Sequence, residues 1–120
     1  MTKSLLVLGL FLVTGFQQKP DSRKMLVSWY CESGKRMANG KPMNCEFFTA
    51  ASNSLPLGTL IFIENPENGR GVYAVITDKG PFVKDRELDV SLAVAKKLDF
   101  VKKGVVELQV RVVSTPGETK

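Results

Sequence analysis

The chain has 120 residues, no histidine, two cysteines and a formal net charge of +5. Its length allows one small domain with one core, and a hydrophobic fraction of 43% excludes a disordered chain and a bundle of membrane spans. Without histidine, acid–base catalysis near neutral pH must rest on a carboxylate, and two thiols are too few soft ligands for zinc, so no metal and no cofactor is expected.

Residues 1–3 make a short positive start, and residues 4–16 are small or apolar. The run is shorter than the ~20 residues a bilayer span needs, and it matches the core of a secretory signal with Val13-Thr14-Gly15 offered for cleavage. Residues 1–15 are therefore expected to be a signal peptide and the protein to be exported. The other readings are a buried N-terminal element or an uncleaved anchor, which would be the only contact with a membrane. Residues 16–24 read as a polar linker, and residues 25–113 as the folded domain, expected to act as a monomer. All but one of the basic residues lie beyond residue 15, spaced among acids rather than clustered with aromatics. Such a surface suits an anionic partner or plain solvation and argues against nucleic acid.

Met25-Leu26-Val27-Ser28-Trp29-Tyr30 is β-prone, and the irregular stretch 32–46 follows, with Ser33-Gly34, Asn39-Gly40 and Lys41-Pro42 as turn formers. Cys31 and Cys45 flank that stretch. Paired, they would close a loop of about 15 residues and contribute roughly 3 kcal/mol; two free thiols are the alternative, since sequence does not set the approach of their Cβ atoms. Residues 47–51 form a second short apolar run. Leu55-Pro56-Leu57-Gly58 turns into the β-prone run 59–64, and Asn68-Gly69 signals a hairpin to a return strand, 72–77, that ends at Asp78. After Gly80-Pro81 and a charged stretch, Ser91 is placed as N-cap of a short helix over 92–98, with Leu92, Ala95 and Leu98 on one side. Val106, Leu108, Val110 and Val112 alternate with polar residues in a last half-buried strand, and residues 114–120 are a polar tail. Short strands, one hairpin and one helix predict a mainly β fold, a small closed or nearly closed barrel.

Asp78 carries the chemical question. An Asp before x-Gly-Pro makes a side-chain-stabilised turn, or it is the acid at the floor of a site. Asp89 either bonds backbone amides ahead of the helix or belongs to that site. Trp29 and Tyr30 either stack their rings on a ligand or form a half-buried barrel pair. Asn39 and Lys41 either line a groove or sit in a surface turn.

Ser28-Trp29-Tyr30, Ala38-Asn39-Gly40, Thr49-Ala50-Ala51, Leu55-Pro56-Leu57-Gly58-Thr59, Asn68-Gly69-Arg70, Asp78-Lys79-Gly80-Pro81-Phe82, Arg86 and Asp89-Val90-Ser91 occur in this order. The series resembles the RlpA-like (rare lipoprotein A) double-psi β-barrel proteins, relatives of expansins and barwins, over residues 26–113. The resemblance implies a six-stranded double-psi β-barrel with one short helix, a bacterial envelope setting, and peptidoglycan glycan strands as partner. It further implies a lytic transglycosylase that cleaves the bond from N-acetylmuramic acid to N-acetylglucosamine with a 1,6-anhydro product, preferring strands stripped of peptides. One carboxyl suffices there as acid and then base, and Asp78 matches that position; neighbouring Asp89 and burial would help it hold a proton, while Lys79, Lys84 and Arg86 would oppose this if turned inward. Trp29, Tyr30, Asn39, Lys41, Ser52 and Asp89 are the expected substrate-binding residues. Two positions depart from the family: Lys41 stands where members carry glutamate, and Ser52 where they carry histidine, with Glu32 or Glu46 as conceivable substitute acids. The family's lipidation cysteine and C-terminal repeat domain have no counterpart in these 120 residues. A non-catalytic, expansin-like wall-binding module is therefore the main alternative, and an effector or inhibitor that binds a protein the third.

Overall fold

In the computed structural model, residues 21–117 are described; the expected leader and most of the expected linker lie outside them. Six strands make the body: β1 (Ser22–Tyr30), β2 (Thr49–Ala51), β3 (Leu60–Glu64), β4 (Gly71–Asp78), β5 (Leu88–Ser91) and β6 (Val105–Ser114). One helix, α1 (Leu92–Leu98), follows β5 directly. Around the barrel the order is β1-β5-β2-β4-β3-β6, closed on itself. Closure gives every strand two partners and leaves no edge to aggregate. β1 with β5 and β2 with β4 run parallel; the remaining pairs are antiparallel. The expected barrel with one short helix is thus what the described residues form.

Alternation fills the interior. Met25 and Val27 of β1, Ile61 and Ile63 of β3, Val72, Ala74 and Ile76 of β4, Leu88 and Val90 of β5, and Leu108 and Val110 of β6 meet in one cluster. The helix closes it with Val94, Ala95 and Leu98, and Phe100 completes the packing. Sequence periodicity had placed Leu92 on that face. Instead Leu92 leans the other way, onto a second small cluster of Met37, Met43 and Cys45 that also receives Tyr30.

Two boundaries differ from expectation for the same reason. β1 begins at Ser22 rather than Met25, because β6 is long enough to pair Ser22, Arg23 and Lys24 with Arg111, Val110 and Gln109. Residues 88–91, flanked by charge and too short to read as a strand, become β5 because they lie between two ready partners, β1 and β2. Pairing supplied by the tertiary fold outweighs weak local preference.

Ser91 ties three elements. Its hydroxyl accepts from Val94 N at 3.3 Å as the helix N-cap and donates to Phe47 O at 2.7 Å. The residue is fully buried. Ser91→Ala removes the cap and leaves the Phe47 carbonyl unpaired, so a loss of about 1–2 kcal/mol is expected in urea unfolding. An unchanged midpoint would show that the helix start does not depend on this hydroxyl.

Candidate functional site

Register, more than any single motif, assembles the site. Ala51 of β2 pairs with Asp78 of β4 on one side and with Asp89 of β5 on the other, and Asp89 pairs in turn with Ser28 of β1. Asp78, Ala51, Asp89 and Ser28 therefore lie in one row across four strands. The two aspartates are separated by two strand spacings, about 10 Å between Cα atoms. Between them is only the methyl group of Ala51, so the row is a floor with an acid at each side. On β1, Val27 points into the core, so Ser28 and Tyr30 share the outer face with Asp89.

The register shift between Ala50 and Ala51 skips Thr77 and brings Asp78 into this row. A bulge of this kind re-aims a side chain at the end of a strand. Asp78 is half-buried, and its Oδ1 accepts from Ala38 N and from Lys79 N, both at 2.9 Å. Among the described residues nothing hydrogen-bonds its Oδ2. The turn reading and the site reading thus each describe one oxygen of the same carboxyl. Asn53 steadies the turn beyond it, accepting from Gly80 N at 2.9 Å and donating to Pro81 O at 2.7 Å. The Gly80–Pro81 peptide is cis.

Asp89 is also half-buried, but it is held differently. Ser28 Oγ donates to Asp89 Oδ1 at 2.9 Å. Burial pushes the Asp89 carboxyl above its ordinary value; Ser28 and Arg86 pull it down, and Glu32 adds to the rise. Tyr30 stands over the pair. Burial first, then the carboxylates of Asp78, Asp89 and Glu32, push its phenol up to about 12, so it stays protonated at any working pH.

The 31–45 loop folds over this face. Cys31 and Cys45 are bonded, with Cα atoms 5.2 Å apart, which settles the sequence alternative in favour of the disulfide. Met37 Sδ accepts from Thr77 Oγ1 at 3.3 Å, Asn39 N donates to Thr77 O at 3.1 Å, and Ala38 N reaches Asp78.

The other expected site residues fall outside the row. Trp29 faces the core side of β1, packs against the main cluster and donates its indole N–H to Val101 O at 3.1 Å, since alternation separates it from Tyr30. The sugar-stacking role expected of it does not fit that placement. Ser52 is buried, its Oγ accepting from Ser54 N and Leu55 N at 3.2 and 3.0 Å while its own N–H donates to Asp78 O. It shapes the turn behind Asp78 instead of facing a ligand. Asn39 is exposed and spends its Oδ1 on Lys41 N at 3.0 Å, and no hydrogen bond or ion pair among the described residues links the Lys41 side chain to either aspartate. Ser28, Ala38, Asn53 and Arg86 serve the site without having been marked as site residues. Only cross-strand register and loop closure reveal them.

The sequence model of the family described as lytic transglycolase matches residues 23–110. A probable endolytic peptidoglycan transglycosylase RlpA of Aquifex aeolicus is 37% identical over 100 residues, covering 82% of this chain and 44% of the relative. The endolytic peptidoglycan transglycosylase RlpA of Rickettsia felis is 33% identical over 120 residues, covering 92% of this chain and 52% of its own length. The chain spans about half, or less, of these curated relatives. Among solved structures, the Streptomyces papain inhibitor superposes with a TM-score of 0.64 at 25% identity, over 81% of this chain and all of that one. An expansin of Clavibacter michiganensis gives 0.63 at 18% identity, over 80% of this chain and 52% of its own, which fixes the fold as a double-psi β-barrel.

Proposed function

The chain belongs to the lytic transglycolase family of double-psi β-barrels, and from that premise we propose that it is an endolytic peptidoglycan transglycosylase of the cell envelope. Its substrate is the glycan strand, cut between N-acetylmuramic acid and N-acetylglucosamine. The observation that carries this reading is the pair of aspartates flanking Ala51 in one row, because cleavage with internal ring closure needs a proton given on one side of the bond and taken on the other.

The environments of the two acids divide the labour. Asp89, biased toward its protonated form by burial, delivers its proton to the glycosidic oxygen as the bond to muramic C1 breaks. The electron pair leaves with that oxygen. The muramic C6 hydroxyl closes on C1, and its proton passes to Asp78 Oδ2, the oxygen that no described residue hydrogen-bonds. The product is a 1,6-anhydro sugar; no water is consumed, and solvent exchange resets both acids. Asp78 Oδ1 remains anchored by two backbone amides, so the carboxylate holds its position throughout. The sequence reading gave both proton steps to Asp78. Two acids in register make a relay of single steps the simpler mechanism.

Lys41 and Ser52, replacing family glutamate and histidine, favour a second reading in which the groove binds glycan without cutting it. One experiment separates the two. The exported domain is incubated with purified, peptide-free glycan strands and the soluble products are weighed by mass spectrometry. Release of 1,6-anhydromuramyl fragments is expected. Co-sedimentation with glycan and no anhydro product would leave the binding reading alone standing.

A further inference from the structure

Among the described residues, the buried hydroxyl of Tyr30 has no hydrogen-bond partner. An unpaired buried donor is costly, so a ring needed only for packing would be better served by phenylalanine. The ring is not free to turn away. It packs against Met37, Met43 and Cys45, and the next residue, Cys31, is bonded to Cys45. On the outer face of β1, Tyr30 lies one pleat beyond Ser28, and Ser28 is registered with Asp89. Tyr30 is therefore a diagonal neighbour of Asp89, a separation that an aromatic side chain can cross.

We propose that Tyr30 is a positioning residue for Asp89, its hydroxyl being the donor that takes up the Asp89 carboxylate once the proton has gone to the substrate. The inference rests on Asp89 as the proton donor of the reading above. In the resting site Asp89 has one donor, Ser28 Oγ on Oδ1. Proton release puts charge on both oxygens, and a donor held one diagonal away by the loop can swing onto that charge. The tyrosine keeps its own proton, so the transferred proton comes from Asp89 alone.

Both aspartates press on the Tyr30 hydroxyl, Asp78 the more strongly, and the choice between them rests on what already holds each carboxyl. Asp78 already holds two backbone amides on Oδ1 and needs no third donor to stay in place. Glu32 is exposed and paired with Lys35 at 3.2 Å. Of the charged groups facing Asp89, Arg86 favours its ionised form and Glu32 opposes it. Neither supplies a hydrogen bond.

The test is a ¹³C carboxyl NMR titration of the free domain, comparing wild type with Tyr30→Phe. Loss of a donor to the charged form should move the Asp89 midpoint up by about one pH unit and leave Asp78 where it was. In turnover the same variant should lose about tenfold in kcat with KM unchanged, its alkaline pH limb following the NMR midpoint. An Asp89 midpoint that does not move, or a shift that appears on Asp78 instead, overturns the proposal. A protein that shows the NMR shift but releases no anhydro product keeps the Tyr30–Asp89 coupling and removes the transglycosylase reading. Product release with an unmoved midpoint does the reverse.

Discussion

Asp89→Asn is expected to lower glycan cleavage by about 10²–10⁴-fold and at the same time to raise the melting temperature near neutral pH. The first effect follows from removing the proton donor, since an amide of the same shape still accepts from Ser28 Oγ but has no proton to give. The second follows from linkage. The Asp89 carboxyl is pushed above its ordinary value by burial, so the folded state holds its proton to higher pH than the unfolded chain does. Stability is therefore greatest below that value and declines as pH rises through the raised one. Asparagine does not titrate and escapes the decline.

Asp78→Asn should cost a similar factor in kcat without the gain in stability, because its Oδ1 partners are backbone amides that an amide oxygen also satisfies. The pH profile separates the two roles. Rate should fall as pH rises through the Asp89 value, and that limb should move to higher pH in Arg86→Gln, which removes a charge that pulls Asp89 down. Full activity in Asp89→Asn, or an alkaline limb unmoved by Arg86→Gln, would return the acid role to Asp78.

The sequence made the elements legible where local chemistry dominates. Asn68-Gly69 turns the β3–β4 hairpin, with Gly69 at positive φ. Ser91 caps the helix, and β6 alternates as read. Asp78 was visible because a carboxylate ends an apolar strand. What stayed hidden depends on register. Nothing in residues 28, 51 and 89 taken singly says that they share a row, because parallel pairing of β1 with β5 joins segments some sixty positions apart. Trp29 and Tyr30 looked alike as a pair of aromatics, yet one faces the core and the other the acids. Ser52 marks a similar limit: its hydroxyl was open to a substrate on paper, and the turn at residues 52–55 claims it.

Removing the disulfide should separate the positioning of Asp78 from the stability of the barrel. The Cys31–Cys45 bridge spans 14 positions, and opening a loop of that size costs roughly 3 kcal/mol in the chain-entropy picture. A domain of this size has about 5–15 kcal/mol to lose. The barrel is closed by ladders that do not involve the loop, so a Cys31→Ala, Cys45→Ala variant should stay folded at 25 °C. The site should not survive as well. The loop supplies Ala38 N to Asp78 Oδ1, Asn39 N to Thr77 O, and the methionine packing under Tyr30. With the loop freed, one of the two amides that fix Asp78 is lost and the support beneath Tyr30 loosens. Cleavage is expected to fall by at least tenfold at a temperature where circular dichroism still shows the barrel. Hydrogen exchange gives the local reading: the Ala38 and Asn39 amides should exchange at the rate of an open loop, while the Val27 and Leu108 amides speed up by no more than the global loss of stability allows. If the variant cleaves at the wild-type rate with Ala38 still protected, the bridge serves the barrel alone and Asp78 is held by its own turn. If cleavage falls with protection lost only in the loop, the same strap that stabilises the domain also sets the geometry of its acid pair.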